Sequence, residues 1–284
     1  MNKLPIGLVT DSTADIPSSL CQQYDIRMAP ISIQFGQDTY EENVTIDRAT
    51  FLRWLDEKPI PTSSQPAPGR FVQIFQDLLQ AGYEQILCVT ITSKHSGTYQ
   101  SAVLASSMVP QAKIAVWDSL AISMGTGYQV LAAARMAEQG LGSEAILEHL
   151  VEIRAGMQTY LSPSTLRYLQ KSGRVGTLSG ALASLLEIKP ILYVNNGLLD
   201  TKEKIRTRGK ALERMGNLVA QDLATAKSVR LAVAHAQVPE EAQQLRQRLE
   251  GMLPCVEFHT VELASSLTVH GGPGVIGVMG YGEG

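Results

Sequence analysis

Ile86-Leu87-Cys88-Val89-Thr90-Ile91 runs into Thr92-Ser93-Lys94-His95-Ser96-Gly97 and then into Thr98-Tyr99-Gln100-Ser101-Ala102. The first six residues are almost continuously apolar and rich in β-branched side chains, the pattern of a strand buried on both faces. The polar run ends that strand. Residues 97–108 read as a helix and residues 113–117 as the next strand. Strand, polar turn, helix and strand in this order make a βαβ unit, and a βαβ unit implies parallel pairing.

The same rhythm extends outward. Residues 5–9 read as a buried strand ending at Thr10-Asp11-Ser12. A short helix follows at 17–24 and a second extended stretch at 26–35. Asp47 is placed to cap a helix carrying Phe51, Leu52, Trp54 and Leu55. Phe71, Ile74, Phe75, Leu78 and Leu79 form a helical stripe that stops near Gly82. Helices are expected at 125–138 and 143–154. The alternation predicts a parallel sheet with helices on both faces.

Near residue 160 the rhythm changes. A short strand at 157–161 is followed by helices at 165–170 and 178–187 and a strand at 190–194. Asn195-Asn196-Gly197 is a hairpin signal, because Asn and Gly tolerate positive φ. A helix at 210–223, strands at 229–234 and 256–261, a helix between them at 240–249 and a last strand at 274–280 complete the chain. The expected fold is α/β in two domains. Residues 1–160 form a parallel-sheet α/β/α domain, and residues 161–284 a smaller α+β domain with a mixed sheet.

Composition narrows the function. Of the 284 residues, 44% are hydrophobic and 18% charged, enough apolar mass for a sizeable core. A net charge of −3 argues against a nucleic-acid partner. Cys21, Cys88 and Cys255 match no metal spacing and read as reduced thiols of a cytoplasmic protein. The first residues lack a signal-peptide core, and no apolar run reaches the ~20 residues of a membrane span.

Polar residues gather where strands end: Asp11 and Ser12, then Thr92, Ser93 and Ser96, then Asp118 and Ser119. Taken singly these are ordinary caps and turn formers. Together they point to one site, since open parallel sheets bind ligands beyond the carboxyl ends of their strands. Gly97 at a helix start lets a ligand approach backbone N–H groups, and the hydroxyls of Thr92, Ser93 and Ser96 add donors for a carboxylate or phosphate. A second hydroxyl run, Pro61-Thr62-Ser63-Ser64-Gln65-Pro66, also leads into a helix. No Gly-Lys-Ser/Thr phosphate loop is present, and Gly125-x-Gly127 lacks the third glycine of a dinucleotide fingerprint.

The five histidines show no metal-ligand spacing, and no Gly-x-Ser-x-Gly elbow occurs. His270 stands apart, because Gly271-Gly272-Pro273-Gly274 follows it in a stretch too irregular for helix or strand. It either bonds a head group or packs in a loop. A hydrolase or acyltransferase using Ser93 or Ser96 with His270 is the competing reading. Lys171-Ser172-Gly173-Arg174 and the series Lys202, Lys204, Arg206, Arg208, Lys210 are either solvated faces or a docking surface for an acidic partner or a phosphate. Leu182, Leu185 and Leu186 suit equally an apolar tunnel or a core.

Seven motifs occur in one order: Thr10-Asp11-Ser12-Thr13; Pro61-Thr62-Ser63-Ser64-Gln65-Pro66; Ser96-Gly97-Thr98-Tyr99-Gln100-Ser101-Ala102; Asp118-Ser119; Leu166 to Arg174; Arg206-Thr207-Arg208-Gly209-Lys210-Ala211; and Val269 to Gly274. In this series the chain resembles the DegV family of bacterial fatty-acid-binding proteins. The resemblance implies a two-domain α/β protein that holds a long-chain fatty acid in a buried tunnel and has no cofactor and no catalytic residues. It implies that Thr62 and Ser93 bind the carboxylate, with Ser63, Thr92, His95, Ser96, Gly97 and His270 around it. It also implies a partner, a fatty acid kinase related to dihydroxyacetone kinases that makes an acyl phosphate, with Arg174 and Arg206 facing that partner or the phosphate. His95 stands where the family usually has an aliphatic residue, and Ser172 where it usually has glycine. The chemistry is coherent. A buried carboxylate needs several hydrogen bonds, and an acyl tail gains ~0.8 kcal/mol per buried CH₂.

Overall fold

Two faces of one strand set the first layer. In the computed structural model, which describes residues 6–174 and 188–284, β6 (Gln85–Thr90) sends Leu87 and Val89 to one core and Ile86 and Cys88 to another. It pairs in parallel with β1 (Ile6–Asp11) and β7 (Lys113–Asp118), and β1 pairs in parallel with β2 (Arg27–Ala29). The sheet order is β2-β1-β6-β7. On one face α3 (Pro68–Gln80) and α4 (Thr98–Ser107) contribute Phe71, Phe75, Ala102 and Ala105. On the other, α1 (Ser18–Gln23), α5 (Met124–Glu138) and α6 (Ser143–Gly156) contribute Cys21, Tyr128, Leu131 and Ile146. The glycine of α5 that resembled half a nucleotide fingerprint has a packing reason. A Cβ on Gly127 would lie 2.5 Å from the Ala14 carbonyl, so only glycine lets the helix seat against that turn.

The extended stretch read at 26–35 is two strands in two sheets. Pro30 interrupts it, and β3 (Ser32–Phe35) joins a small antiparallel sheet with β4 (Asp38–Glu41) and β5 (Thr62–Ser64), in the order β4-β3-β5. Helix α2 (Arg48–Glu57) covers this sheet with Phe51 and Leu55, and the Asp47 carboxylate accepts the Thr50 N–H at 2.7 Å as its cap.

Strands β8 (Gln158–Ser162), β9 (Lys189–Asn195), β10 (Leu198–Ile205), β11 (Ser228–His235), β12 (Cys255–Glu262) and β13 (Ile276–Glu283) build a mixed sheet in the order β10-β9-β8-β13-β11-β12. Only β11 and β12 are parallel neighbours in it. The Asn196-Gly197 turn joins β9 to β10 with φ of 46° and 81°, as the hairpin signal required. One sheet face carries Tyr160, Ile191, Leu231, Val233, Ile276 and Val278 under α8 (Arg208–Asp222) and α9 (Pro239–Glu250). The other face, turned toward the parallel-sheet layers, carries Leu161, Ala232, Ala234 and Met279. Its small residues leave room, which is where the cavity described below lies.

Two short helices close that space: α7 (Arg167–Ser172) and α10 (Ser265–Gly271). His270 therefore lies in the last turn of a helix, and the expectation of an irregular loop holds only from Gly272 onward. Gly272 at φ 76° ends the helix. Three side chains from the first half fix the approach to α10. Asp15 accepts the Ala264 N–H at 2.8 Å, Glu42 accepts Ser266 N–H at 2.9 Å and Ser266 O–H at 2.7 Å, and Arg48 donates to the Leu263 carbonyl while pairing with Glu262. The helix expected at 178–187, with Leu182, Leu185 and Leu186, lies outside the described residues. Among the described residues, no helix is long and apolar enough to cross a membrane.

Candidate functional site

The cavity has an apolar body and one polar end. Leu161, Val194, Leu199, Ala234, Val275, Gly277 and Met279 of the mixed sheet and its edges face Ile31, Ile91 and Ile122 of the first half, with Leu169, Leu263 and Leu267 between. The polar members are Thr13, Ser63, Ser64, Gln65, His95, Ser96, Arg174, Ser266 and His270. They come from the turn after β1, from β5 and the residue after it, from the loop after β6, from the residues after α7 and from α10; of the expected strand-end polar residues only Ser96 is among them.

Counting protons shows which of these groups can serve a ligand. The Thr13 hydroxyl donates to Asp11, and the Ser266 hydroxyl donates to Glu42. Both hydrogens are committed. Ser96 Oγ and Thr98 Oγ1 are 2.8 Å apart, and Ser96 Oγ already accepts the Thr98 N–H. With Thr98 as donor to it, Ser96 keeps its own hydrogen for the cavity. Ser63 Oγ lies 2.7 Å from His270 Nε2. With Nε2–H as donor, the Ser63 hydrogen is likewise available.

Both imidazoles are neutral. Burial, reinforced by the positive charge of Arg174, lowers the pKa of His270 to about 4. Burial and then Arg174 also lower His95. His95 Nε2 accepts the Leu199 N–H at 2.9 Å, so its proton sits on Nδ1. His270 Nδ1 is buried and has no hydrogen-bond partner, a polar atom left open toward the site. Arg174 is exposed at the rim and is held by its donation to the Ser172 carbonyl at 2.8 Å. The polar end therefore offers hydroxyls, neutral imidazoles and one cation, a set suited to a single anionic or acidic head group.

Of the residues expected to line a ligand site, Ser63, His95, Ser96 and His270 line the cavity, and so does Arg174, which was expected to face a partner or a phosphate. Thr62, Thr92, Ser93 and Gly97 are not among its lining residues, nor is Arg206, the other residue expected at a partner or phosphate surface. Thr62 is exposed and its hydroxyl reaches Gln34 at 3.4 Å across the ladder. Side chains alternate along β5, so Ser63 turns inward where Thr62 turns out. The Thr92 hydroxyl is occupied in holding the β9–β10 turn, donating to the Gly197 carbonyl at 3.0 Å. Ser93 is tied through its N–H to Asp118 at 3.0 Å. Gly97 begins α4 and leaves room for Gln65, whose Cδ would lie 3.0 Å from a Cβ there. Arg206 is exposed in the turn before α8. Thr13, Ser64, Gln65 and Ser266 were not singled out for the site. Nor were the small floor residues, although Leu231-Ala232-Val233-Ala234 and Ile276-Gly277-Val278 alternate large with small and so mark a face with space over it.

The profile of the DegV family, described as "Uncharacterised protein, DegV family", matches residues 5–283. Protein DegV of Bacillus subtilis (strain 168) is 34% identical over 275 residues, covering 96% of this chain and 98% of that protein. A fatty-acid-binding DegV family protein from Thermus thermophilus has a TM-score of 0.92 at 31% identity, with 98% of this chain and 99% of that one covered. The crystal structure of DegV from Bacillus subtilis, described as a fatty acid binding protein, has a TM-score of 0.90 at 32% identity, with the same coverage.

Proposed function

This chain belongs to the DegV family, and from that premise we propose that it binds a long-chain fatty acid, with the acyl chain in the apolar cavity and the carboxyl group at the Ser63–His270 end. The observation that carries the reading is the division of one cavity into an apolar body and a polar end where the Ser63 and Ser96 hydroxyls and two imidazoles gather. The solved relatives described as fatty acid binders support it. Ser63, Ser96, His95 Nδ1 and Arg174 supply donors to the carboxylate, and Thr62, Ser93, Thr92 and Gly97 hold the strand and loop that carry them. The acid binds as ligand and not as cofactor. The division at residue 160 separates the unit that supplies most of the head-group end from the unit that supplies the acyl floor.

The finer part of the proposal is the fate of the acid. The protein presents the carboxylate to a separate fatty acid kinase in the cytoplasm, and that enzyme forms the acyl phosphate. Arg174, which both lines the cavity and meets solvent, and the exposed Arg206 dock the partner or its phosphate. The serine-enzyme reading has one observation in its favour, the Ser–His contact, but the contact is made by Ser63 and not by Ser93 or Ser96. His270 Nδ1 has no acid to orient it, and a pKa of about 4 makes it a weak base. Native mass spectrometry followed by lipid extraction tests the binding. A non-covalent adduct of fatty-acid mass supports it, and a protein that stays empty after incubation with palmitate and oleate refutes it. Covalent capture by a serine-directed fluorophosphonate would favour the enzyme instead.

A further inference from the structure

The cavity floor has a trough with a methionine over it. β13 pairs with β11 so that Gly277 faces Ala234, and with β8 so that Gly277 faces Leu161. The next rank on the same face is Thr159, Met279 and Ala232. In the first rank two of three positions have almost no side chain. Met279 takes advantage of this, since its Cε lies 3.4 Å from where a Cβ on Gly277 would stand. The thioether arm thus leans back over the bare Gly277 backbone.

The direction of the trough follows from the strand. Val275, Gly277 and Met279 all line the cavity, so it runs along β13 for about 13 Å at ~3.3 Å per residue. Val275 marks the head-group end, because it lies 3.0 Å from the Cβ position of Gly271, the neighbour of His270. Met279 marks the far end. With its arm over Gly277 the trough stops there. Beyond it on the neighbouring strand stands the small Ala232, its cross-strand partner.

We propose that Met279 is the end wall of the acyl trough and sets the length of acid the protein accepts, with Gly277 providing the space into which it folds. This rests on the fatty-acid reading above. Methionine suits the role because it is unbranched, has three rotatable bonds and packs against varied shapes. Each further methylene admitted raises affinity about fourfold.

The test uses full-length protein incubated with an equimolar mixture of laurate, myristate, palmitate, stearate and arachidate, read as bound adducts by native mass spectrometry. Met279→Ala is expected to move the profile toward longer acids, by about 15-fold in the ratio of neighbouring even-numbered chains (two methylenes). Gly277→Ala, whose new methyl meets Met279 Cε at 3.4 Å and the Tyr160 carbonyl at 3.0 Å, is expected to move it toward shorter ones. An unchanged profile in a Met279→Ala protein that melts like the parent overturns the proposal. If Met279→Ala does not fold, Met279→Leu, which conserves volume but stiffens the arm, must narrow the profile, and an unaltered profile again overturns it. A parent protein that binds none of the five acids overturns the fatty-acid reading itself. A parent that binds them with variants that do not differ overturns only the role of Met279.

Discussion

Replacing Asp15 with Asn will remove a pH-dependent loss of stability. Asp15 sits at φ 53°, accepts the Ala264 N–H at 2.8 Å, and shares a short hydrogen bond with Ser123. Burial raises its pKa from 3.8 to about 8, with the Glu42 charge adding to the rise. In the unfolded chain the carboxyl ionises near 3.8, whereas the folded protein keeps the proton to about 8. Between those values the native state binds more protons, so stability is full below the lower value and falls as pH rises toward the upper one. The whole shift corresponds to roughly 6 kcal/mol at 1.36 kcal/mol per unit. Asp15 keeps partial contact with solvent, which reduces the expected effect to about 2–3 kcal/mol. Asn keeps the acceptor for Ala264, offers an N–H to the Ser123 oxygen, tolerates the left-handed backbone and does not titrate. Urea unfolding of both proteins at about pH 5, 6.5 and 8 reads the difference. The advantage of Asp15→Asn over the parent should widen steadily from the acid end to the alkaline end, where it reaches the stated amount. Other titrating groups are common to both and cancel to first order in the comparison. A gap that stays constant across the range refutes the reasoning, because it would mean that Asp15 is already ionised in the folded state.

Three further outcomes follow from particular contacts. Ser63→Ala should weaken fatty-acid binding about 10- to 100-fold, the worth of one hydrogen bond to a charged group, while Thr62→Ala should leave it unchanged in a displacement assay. The reverse pattern would restore Thr62 as the carboxylate ligand. Gly197→Ala should cost roughly 1–3 kcal/mol, because φ is +81° and the new Cβ would fall 2.3 Å from Thr92 Oγ1. Gly36→Ala, at φ +64° with open space around it, should lose only the backbone part, about 1 kcal/mol, so equal losses would discount the Thr92 contact. For His270 the pKa falls from 6.5 to about 4, so the unfolded state binds more protons in that window and stability drops as pH falls through it. His270→Gln should flatten that acid limb by about 2 kcal/mol after allowing for partial exposure, and an equally steep limb would show His270 protonated in the folded protein.

Short-range chemistry was legible in the sequence, and side-chain direction was not. Ile86 to Ile91 announced a strand buried on both faces, and the structure divides its residues between two cores as that reading requires. Asn196-Gly197 announced its turn, and Asp47 its cap. The hydroxyl runs announced a polar site, but a run gives no direction. Thr62 and Ser63 are adjacent, and only the three-residue pairing of β5 with β3 decides that Ser63 turns toward His270. That pairing joins residues about thirty positions apart, beyond the reach of local propensity. The short strand itself was invisible because its residues, Thr-Ser-Ser, carry no apolar alternation. The partner of Thr92 is hidden from the sequence for a related reason. The Thr92 hydroxyl is committed to Gly197, a contact between two segments that sequence spacing cannot bring together. His270 was read as loop because four residues of glycine and proline follow it, whereas its helix is nucleated from the other side, where Glu42 holds Ser266. A glycine-rich tail describes where a helix stops. It says nothing about whether one precedes it, and here the preceding turn is what aims the imidazole into the cavity.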